Sequence, residues 1–189
     1  QSIRFDEYNK FDDKLTAKVG IKHFCNKIDG LVVSANLGSA YNVPTLYNLY
    51  DPTYGNQNLK PENTVSYDFT LAYKDIQLTY FHSKTTDMID YFDPDDWSGP
   101  LPGKYYNIAG KTKLQGIELE YSTEIYRDVL ATASYTYLDA KNNDGEELKR
   151  RPKDTFKLSM DYYPSDDLHL GIFGEYIGER YHNDNKQGV

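Results

Sequence analysis

The sequence has little of what most fold classes and enzymes require. No apolar run approaches the roughly 18 residues of a membrane helix, and Leu31-Val32-Val33 is typical of the longest. A single cysteine, Cys25, excludes an internal disulfide framework. The N-terminus carries no signal-peptide pattern. There is no nucleophile elbow, phosphate-binding loop or dinucleotide fingerprint, and we expect neither enzymatic activity nor a cofactor. The four histidines, His23, His82, His169 and His182, are scattered and lack zinc-ligand spacing with Cys25. Asn142 to Arg151 superficially resembles a calcium loop, but Ala140 and Arg151 stand where carboxylates are needed. That stretch reads as a hairpin tip. A net charge of −8 over 189 residues excludes a general nucleic-acid binder.

Against these absences stands an aromatic content of 15%, including 19 tyrosines, in a chain of mean hydropathy −0.74. Disordered chains are poor in aromatics. A sheet with one apolar and one wet face reconciles low hydropathy with many rings, and a transmembrane β-barrel does so with aromatic girdles at both interfaces.

The pattern along the chain is period two. Val65, Tyr67, Phe69, Leu71 and Tyr73 alternate with Ser66, Asp68, Thr70 and Ala72. Similar alternation runs through Leu15–Ile21, Leu31–Leu37, Ile76–Tyr80, Ile117–Tyr121, Val129–Tyr137, Phe156–Tyr162 and Leu168–Tyr176. Successive strand side chains point to opposite faces, so each segment is a strand with one apolar face. About eight strands and no convincing amphipathic helix are expected. Short turns at 27–30, 74–75, 122–128 and 164–167 alternate with long polar stretches near 39–62, 84–104 and 139–154. Long loops at one end and tight turns at the other describe an up-and-down antiparallel meander across a membrane. A soluble antiparallel domain with one wet face, and a closed eight-stranded barrel, are the alternatives.

Three stretches resemble the TonB-dependent outer-membrane receptor family. The first is Ser39-Ala-Tyr-Asn-Val-Pro-Thr-Leu-Tyr-Asn-Leu-Tyr50 with Gly55-Asn-Gln-Asn-Leu-Lys-Pro-Glu62. The second is Tyr105-Tyr-Asn-Ile-Ala-Gly-Lys-Thr-Lys-Leu-Gln-Gly-Ile-Glu118. The third joins Ser134–Ala140 to Arg150-Arg-Pro-Lys153 and Tyr176–Tyr181. The resemblance implies that residues 1–189 are about eight strands of a 22-stranded barrel, without its plug domain and final strands. Asp87-Met-Ile-Asp-Tyr91, Tyr105-Tyr-Asn107, the Arg150-Arg151 pair and Gly178–Tyr181 are similar to vitamin B12 receptors, and ferric-siderophore receptors share much of this. Tyr41-Asn42-Val43-Pro44 stands where the family usually has Phe-Arg-Ala-Pro, so no arginine role is carried over.

What the resemblance implies is the barrel of an energy-coupled importer in the outer membrane of a Gram-negative bacterium. Its cargo would be cobalamin or a ferric siderophore, and its energy would come from the inner-membrane TonB complex through the plug. A surface adhesion or structural β-protein without transport is the rival. Loop aromatics and amides suit a large, partly apolar chelate, which nominates Tyr41, Asn42, Tyr47, Tyr50, Tyr54, Asn56, Trp97, Tyr105 and Tyr181. Lys149, Arg150, Arg151 and Lys153 are candidates for contact with lipopolysaccharide phosphates beside outer-membrane lipid. Asp93, Asp95 and Asp96 beside Trp97 read first as a solvated acidic loop, with calcium binding or ligand contact alongside the tryptophan as the alternatives. The topology predicts that an epitope tag inserted at Asn143 in the full-length protein is labelled on intact cells and one at Asp75 is not. Equal labelling would reverse the assignment of strand directions.

Overall fold

The computed structural model describes residues 1–94 and 101–181. The period-two segments all become strands, and the strands form one antiparallel meander. In chain order the elements are β1 (Ser2–Asp6), β2 (Lys14–Phe24), β3 (Leu31–Asn42), α1 (Leu46–Tyr50), β4 (Glu62–Tyr73), β5 (Ile76–Thr86), β6 (Ile89–Phe92), β7 (Lys104–Asn107), β8 (Lys111–Tyr126), β9 (Val129–Lys141), β10 (Asp154–Ser165) and β11 (Leu168–Ile177). Nine of them make a single sheet in the order β1-β2-β3-β4-β5-β8-β9-β10-β11, and β6 pairs with β7 apart from it. Every neighbour in the main sheet is the next strand of that sheet along the chain, which is the pairing that short connections favour. Among the described residues β1 and β11 do not pair, so the sheet is open and the closed eight-stranded alternative is set aside.

Three elements differ from the sequence expectation. β1 is a short strand paired from Ser2 with Lys18 to Asp6 with Lys14, too brief to carry a periodic signal. The stretch read as an unbroken loop near 84–104 holds the end of β5 and the β6–β7 hairpin, where Tyr91 lies opposite Tyr105. The stretch near 39–62 contains α1, whose five residues are far shorter than an apolar helical period can reveal. A capping box makes it instead: Thr45 Oγ1 accepts from the Asn48 amide at 3.1 Å, and Asn48 Oδ1 accepts from the Thr45 amide at 2.9 Å.

Register fixes two faces. The rung Ala35–Phe69–Tyr80–Ile117–Tyr137 runs across five strands, followed by Val33–Leu71–Leu78–Leu119–Tyr135. These side chains share one face, and most of them lie open on it, including Phe69, Leu71, Leu78, Ile117 and Leu119. The opposite face carries Asp68, Thr70, Thr79, Glu118 and Glu120, with Thr70 and Thr79 hydroxyls 2.9 Å apart and Asn36 donating to Asp68 at 2.8 Å. Gly116 sits where β8 meets both neighbours. A Cβ there would strike the Tyr137 carbonyl and come within 2.8 Å of the Phe81 ring, so the strand accepts only glycine.

A water-soluble sheet hides its apolar face under another layer. Among the described residues no layer covers it, and their buried apolar residues are Leu49, Leu59, Ile108 and Ala140, three in the loops and one at the loop end of β9. Such an uncovered face is what a membrane-crossing β-barrel turns to lipid, and no helix of the described residues is long and apolar enough to cross a membrane. In the full-length protein Leu71→Arg or Leu119→Arg should destabilise the barrel by about 2–4 kcal/mol if the site is near the bilayer midplane. Thr70→Arg on the wet face should cost far less. Urea titrations of the three variants in lipid vesicles check this, and equal costs would contradict the facing. The isolated segment, with two open edges and a bare apolar face, should scatter light as large particles without detergent. A compact monomer there would restore the soluble reading.

Candidate functional site

The long connections β3–β4, β5–β8 and β9–β10 lie at one end of the meander. They are tied into one unit. Asp51 first shapes the segment after α1: its carboxylate accepts from the amides of Thr53 at 2.9 Å and Tyr54 at 2.8 Å. The Gly55 amide then donates to the Asp51 carbonyl at 3.0 Å and the Asn56 amide to the Asn48 carbonyl at 2.7 Å. The turn delivers Tyr54 and Asn56 to β7. Asn56 Nδ2 donates to the Tyr105 carbonyl at 2.9 Å, and the Tyr105 amide donates to the Tyr54 carbonyl at 3.1 Å.

Asn107 is a second clamp. Its Oδ1 accepts from the Lys60 amide at 2.9 Å, and its Nδ2 donates to the carbonyls of Lys60 at 2.9 Å and Asp87 at 2.7 Å. Glu62 is a third. One oxygen accepts from the Ile89 amide at 2.6 Å and the other from Asn42 Nδ2 at 2.8 Å. Buried Leu49, Leu59 and Ile108 supply the apolar centre of this unit. The β9–β10 hairpin joins it through Lys149, whose ammonium lies 3.4 Å from the Asp90 carboxylate and donates to the Tyr91 carbonyl. Asn143 packs against Gly110, whose φ of +78° and lack of a Cβ leave it room.

On this platform four tyrosine rings form a chain. Tyr47 meets Tyr105 edge-on at 6.0 Å, Tyr105 meets Tyr91 at 5.2 Å, and Tyr91 meets Tyr54 at 5.9 Å. Gly103 makes the inner position possible, since a Cβ there would occupy the place of the Tyr91 ring. Burial raises the Tyr91 phenol above its ordinary value, with Asp93 adding to it, and burial then Asp51 does the same to Tyr47. Both therefore stay neutral and keep a donor hydroxyl across the physiological range. Tyr47 remains half exposed. The arrangement offers stacking faces and hydroxyls. Among the described residues no three His, Cys, Asp or Glu side chains group as metal ligands.

The nominated residues distribute unevenly. Tyr47, Tyr54, Asn56 and Tyr105 come together, although the Asn56 amide is engaged by Tyr105 and the Asn58 amide. Tyr41 and Tyr50 face the β1–β2 connection instead: Tyr41 packs on Tyr8 at 5.6 Å, and Lys10 donates to the Tyr50 hydroxyl at 3.0 Å. Asn42 is held by Glu62. The Tyr181 carbonyl accepts from the Arg150 amide at 2.6 Å, at the β9–β10 hairpin. Trp97, Asp95 and Asp96 lie outside the described residues. Of the basic quartet, Lys149 turns inward to Asp90 and Lys153 pairs with Glu147 at 2.5 Å, while Arg150 and Arg151 stay on the hairpin. Sequence reasoning missed Tyr91, Glu62 and Asn107 as parts of the site. All three stood inside the quoted motifs, so their signal was present.

Comparison with known proteins converges on one family. The family model described as TonB dependent receptor-like, beta-barrel matches residues 2–189. The vitamin B12 transporter of Vibrio cholerae is 28% identical over 186 residues, covering 95% of this chain and 28% of that protein. The vitamin B12 transporter of Photobacterium profundum is 32% identical over 188 residues, covering 95% and 30%. Among solved structures, a mutant of the ferric enterobactin receptor PfeA from Pseudomonas aeruginosa superposes with a TM-score of 0.73 at 21% identity, covering 99% of this chain and 32% of that one. The copper transporter OprC superposes with a TM-score of 0.72 at 21% identity, covering 94% and 29%. The chain thus spans under a third of the length of these relatives. The meander with its bare apolar face, the clamped loops at one end and the family match over nearly every residue lead to one conclusion: the chain belongs to the TonB-dependent receptor-like β-barrel family.

Proposed function

We propose that this chain is barrel wall and part of the binding mouth of an outer-membrane, TonB-dependent active-transport receptor for cobalamin or a ferric siderophore. One observation carries the reading: three long connections are locked to one another and present a continuous tyrosine ledge at the loop end. Large metal chelates bury broad, partly apolar surfaces, which aromatic faces and fixed donors match. Relatives named as vitamin B12 transporters cover nearly the whole chain and favour cobalamin. Passage itself belongs to the whole receptor, with a plug and the inner-membrane TonB complex. The segment's own share is to hold the cargo in a preorganised mouth, which removes the ordering cost that mobile loops would impose on binding. Tyr181, beside the β9–β10 hairpin, extends the same proposed mouth, and Arg150 and Arg151 reach the lipopolysaccharide layer.

The test uses the full-length protein in its own membrane, with radiolabelled cyanocobalamin and a ferric catecholate as probes. Tyr47→Ala with Tyr105→Ala should weaken binding of the true cargo by about ten-fold or more, equivalent to about 1.4 kcal/mol. Binding should survive, and uptake stop, in cells lacking the TonB complex. Asn107→Ala removes three hydrogen bonds that hold the loops and leaves their backbone partners unmatched. It should destabilise the loop unit by about 1–3 kcal/mol, read as faster exchange of the Lys60 amide with the strand amides unchanged. No saturable binding of either probe, with normal cell-surface attachment activity, would favour the adhesion reading instead.

A further inference from the structure

The apolar face ends in a rung that is not apolar. Across β5, β8 and β9, Lys84 lies opposite Lys113 and Lys113 opposite Lys141, with Val65 beside Lys84 on β4. Lys111 follows one rung higher, opposite Thr86. No bulge interrupts β5 between Ile76 and Lys84 or β8 between Lys113 and Ile117, so the lysines share the face of Leu78, Tyr80, Ile117 and Leu119. They point toward the bilayer, away from the lumen and the tyrosine ledge.

Directly opposed like charges on adjacent strands destabilise a sheet, since opposed Cα atoms are only about 4.5–5.5 Å apart. Lys141 is relieved by Asp139 at 2.8 Å. Lys84, Lys111 and Lys113 have no carboxylate partner among the described residues. The height of the rung suggests what relieves them. From the turn at Asp75 to Lys84, a strand tilted by about 40° and rising about 3.3 Å per residue climbs roughly 23 Å, close to the full apolar band. The next rung down carries Tyr67, His82, Gln115 and Asp139, and Tyr80 and Tyr137 follow one rung lower, at the level of an aromatic girdle. Lysine stems lying along that girdle would place their ammonium groups at headgroup level on the long-loop side.

We propose that Lys84, Lys111 and Lys113, with Lys141, form a docking surface for the phosphate groups of an acidic lipid in the outer leaflet. Several ammonium groups on one rigid rung suit a headgroup carrying more than one phosphate, each contact being a charge-assisted hydrogen bond. The site is separate from the β9–β10 hairpin cations and is independent of which cargo the receptor carries. It requires only the facing of the sheet.

The experiment is native mass spectrometry of the full-length receptor in detergent with bis-phosphorylated lipid A, its dephosphorylated form and inorganic phosphate as probes. The wild type should retain the bis-phosphorylated lipid in preference to the dephosphorylated form, and millimolar inorganic phosphate should not displace it. K84Q/K111Q/K113Q should lower that retention by about ten-fold or more, whereas K84R/K111R/K113R should preserve it. Heat-modifiable gel mobility shows which variants hold a folded barrel. Equal retention of the two lipids by the wild type, displacement by inorganic phosphate, or full retention by the folded glutamine variant would each overturn the proposal. The wild-type comparison stands even if a variant fails to fold. Cobalamin or siderophore binding is unaffected by any of these outcomes, so this inference and the cargo reading fail separately.

Discussion

Everything in this structure follows from one constraint: in hydrocarbon no water is present to satisfy a backbone amide or carbonyl, so each must find a partner in the protein. A meander of long antiparallel strands does this rung by rung, as in the unbroken twelve-residue β3–β4 pairing from Leu31 opposite Tyr73 to Asn42 opposite Glu62. Once strands are required, side chains alternate, and the two faces are assigned opposite tasks. Lipid dissolves Phe69, Leu71 and Ile117, while hydroxyl pairs such as Thr70–Thr79 and Ser122–Thr132 line the wet face. The absence of a covering layer is therefore the expected state of the sheet.

The same constraint leaves the buried apolar side chains of the described residues in the loops and at the loop end of β9. Beyond the membrane the loops regain water, and they must be ordered by their own bonds. A few side chains achieve that by bonding groups from different segments: Asn107 satisfies three backbone groups and joins the β3–β4 and β5–β8 connections, Glu62 joins a strand start to β6, and Lys149 draws in the third loop. Leu49, Leu59 and Ile108 pack beneath, and the tyrosine chain lies on the resulting platform. The loop unit is a small folded object built on a barrel rim. That is why removing a single clamp should loosen the loops while leaving the barrel intact.

The sheet was legible because alternation is a property of each strand alone. Val65–Tyr73 or Ile117–Tyr121 can be read without knowing any partner, and eight of the nine main strands were. The remainder depended on contacts distant in sequence. β6 and β7 are four residues each and exist because Tyr91 pairs with Tyr105 across the intervening segment. α1 exists because Thr45 and Asn48 cap each other, a signal carried by two side chains rather than a period. At the loop end, the structure brings together Tyr47, Tyr54 and Tyr105 of the nominated loop aromatics. Composition could not separate them from Tyr41 and Tyr50, which the β1–β2 connection engages. The clamp residues Glu62 and Asn107 were visible as motif positions, but their work is on backbone groups twenty or more residues away, which a local reading does not see.

The central claim is that one face of this sheet meets lipid and the other meets water. Spin labels placed singly at every position of β4, from Thr64 to Ala72 in the full-length receptor reconstituted in a bilayer, test it most directly. Collision rates with oxygen should peak at Val65, Tyr67, Phe69 and Leu71, and those with a water-soluble nickel chelate at Thr64, Ser66, Asp68 and Thr70. The two series should alternate with period two and opposite phase. Accessibilities that rise and fall together, or that show no alternation, would contradict the account.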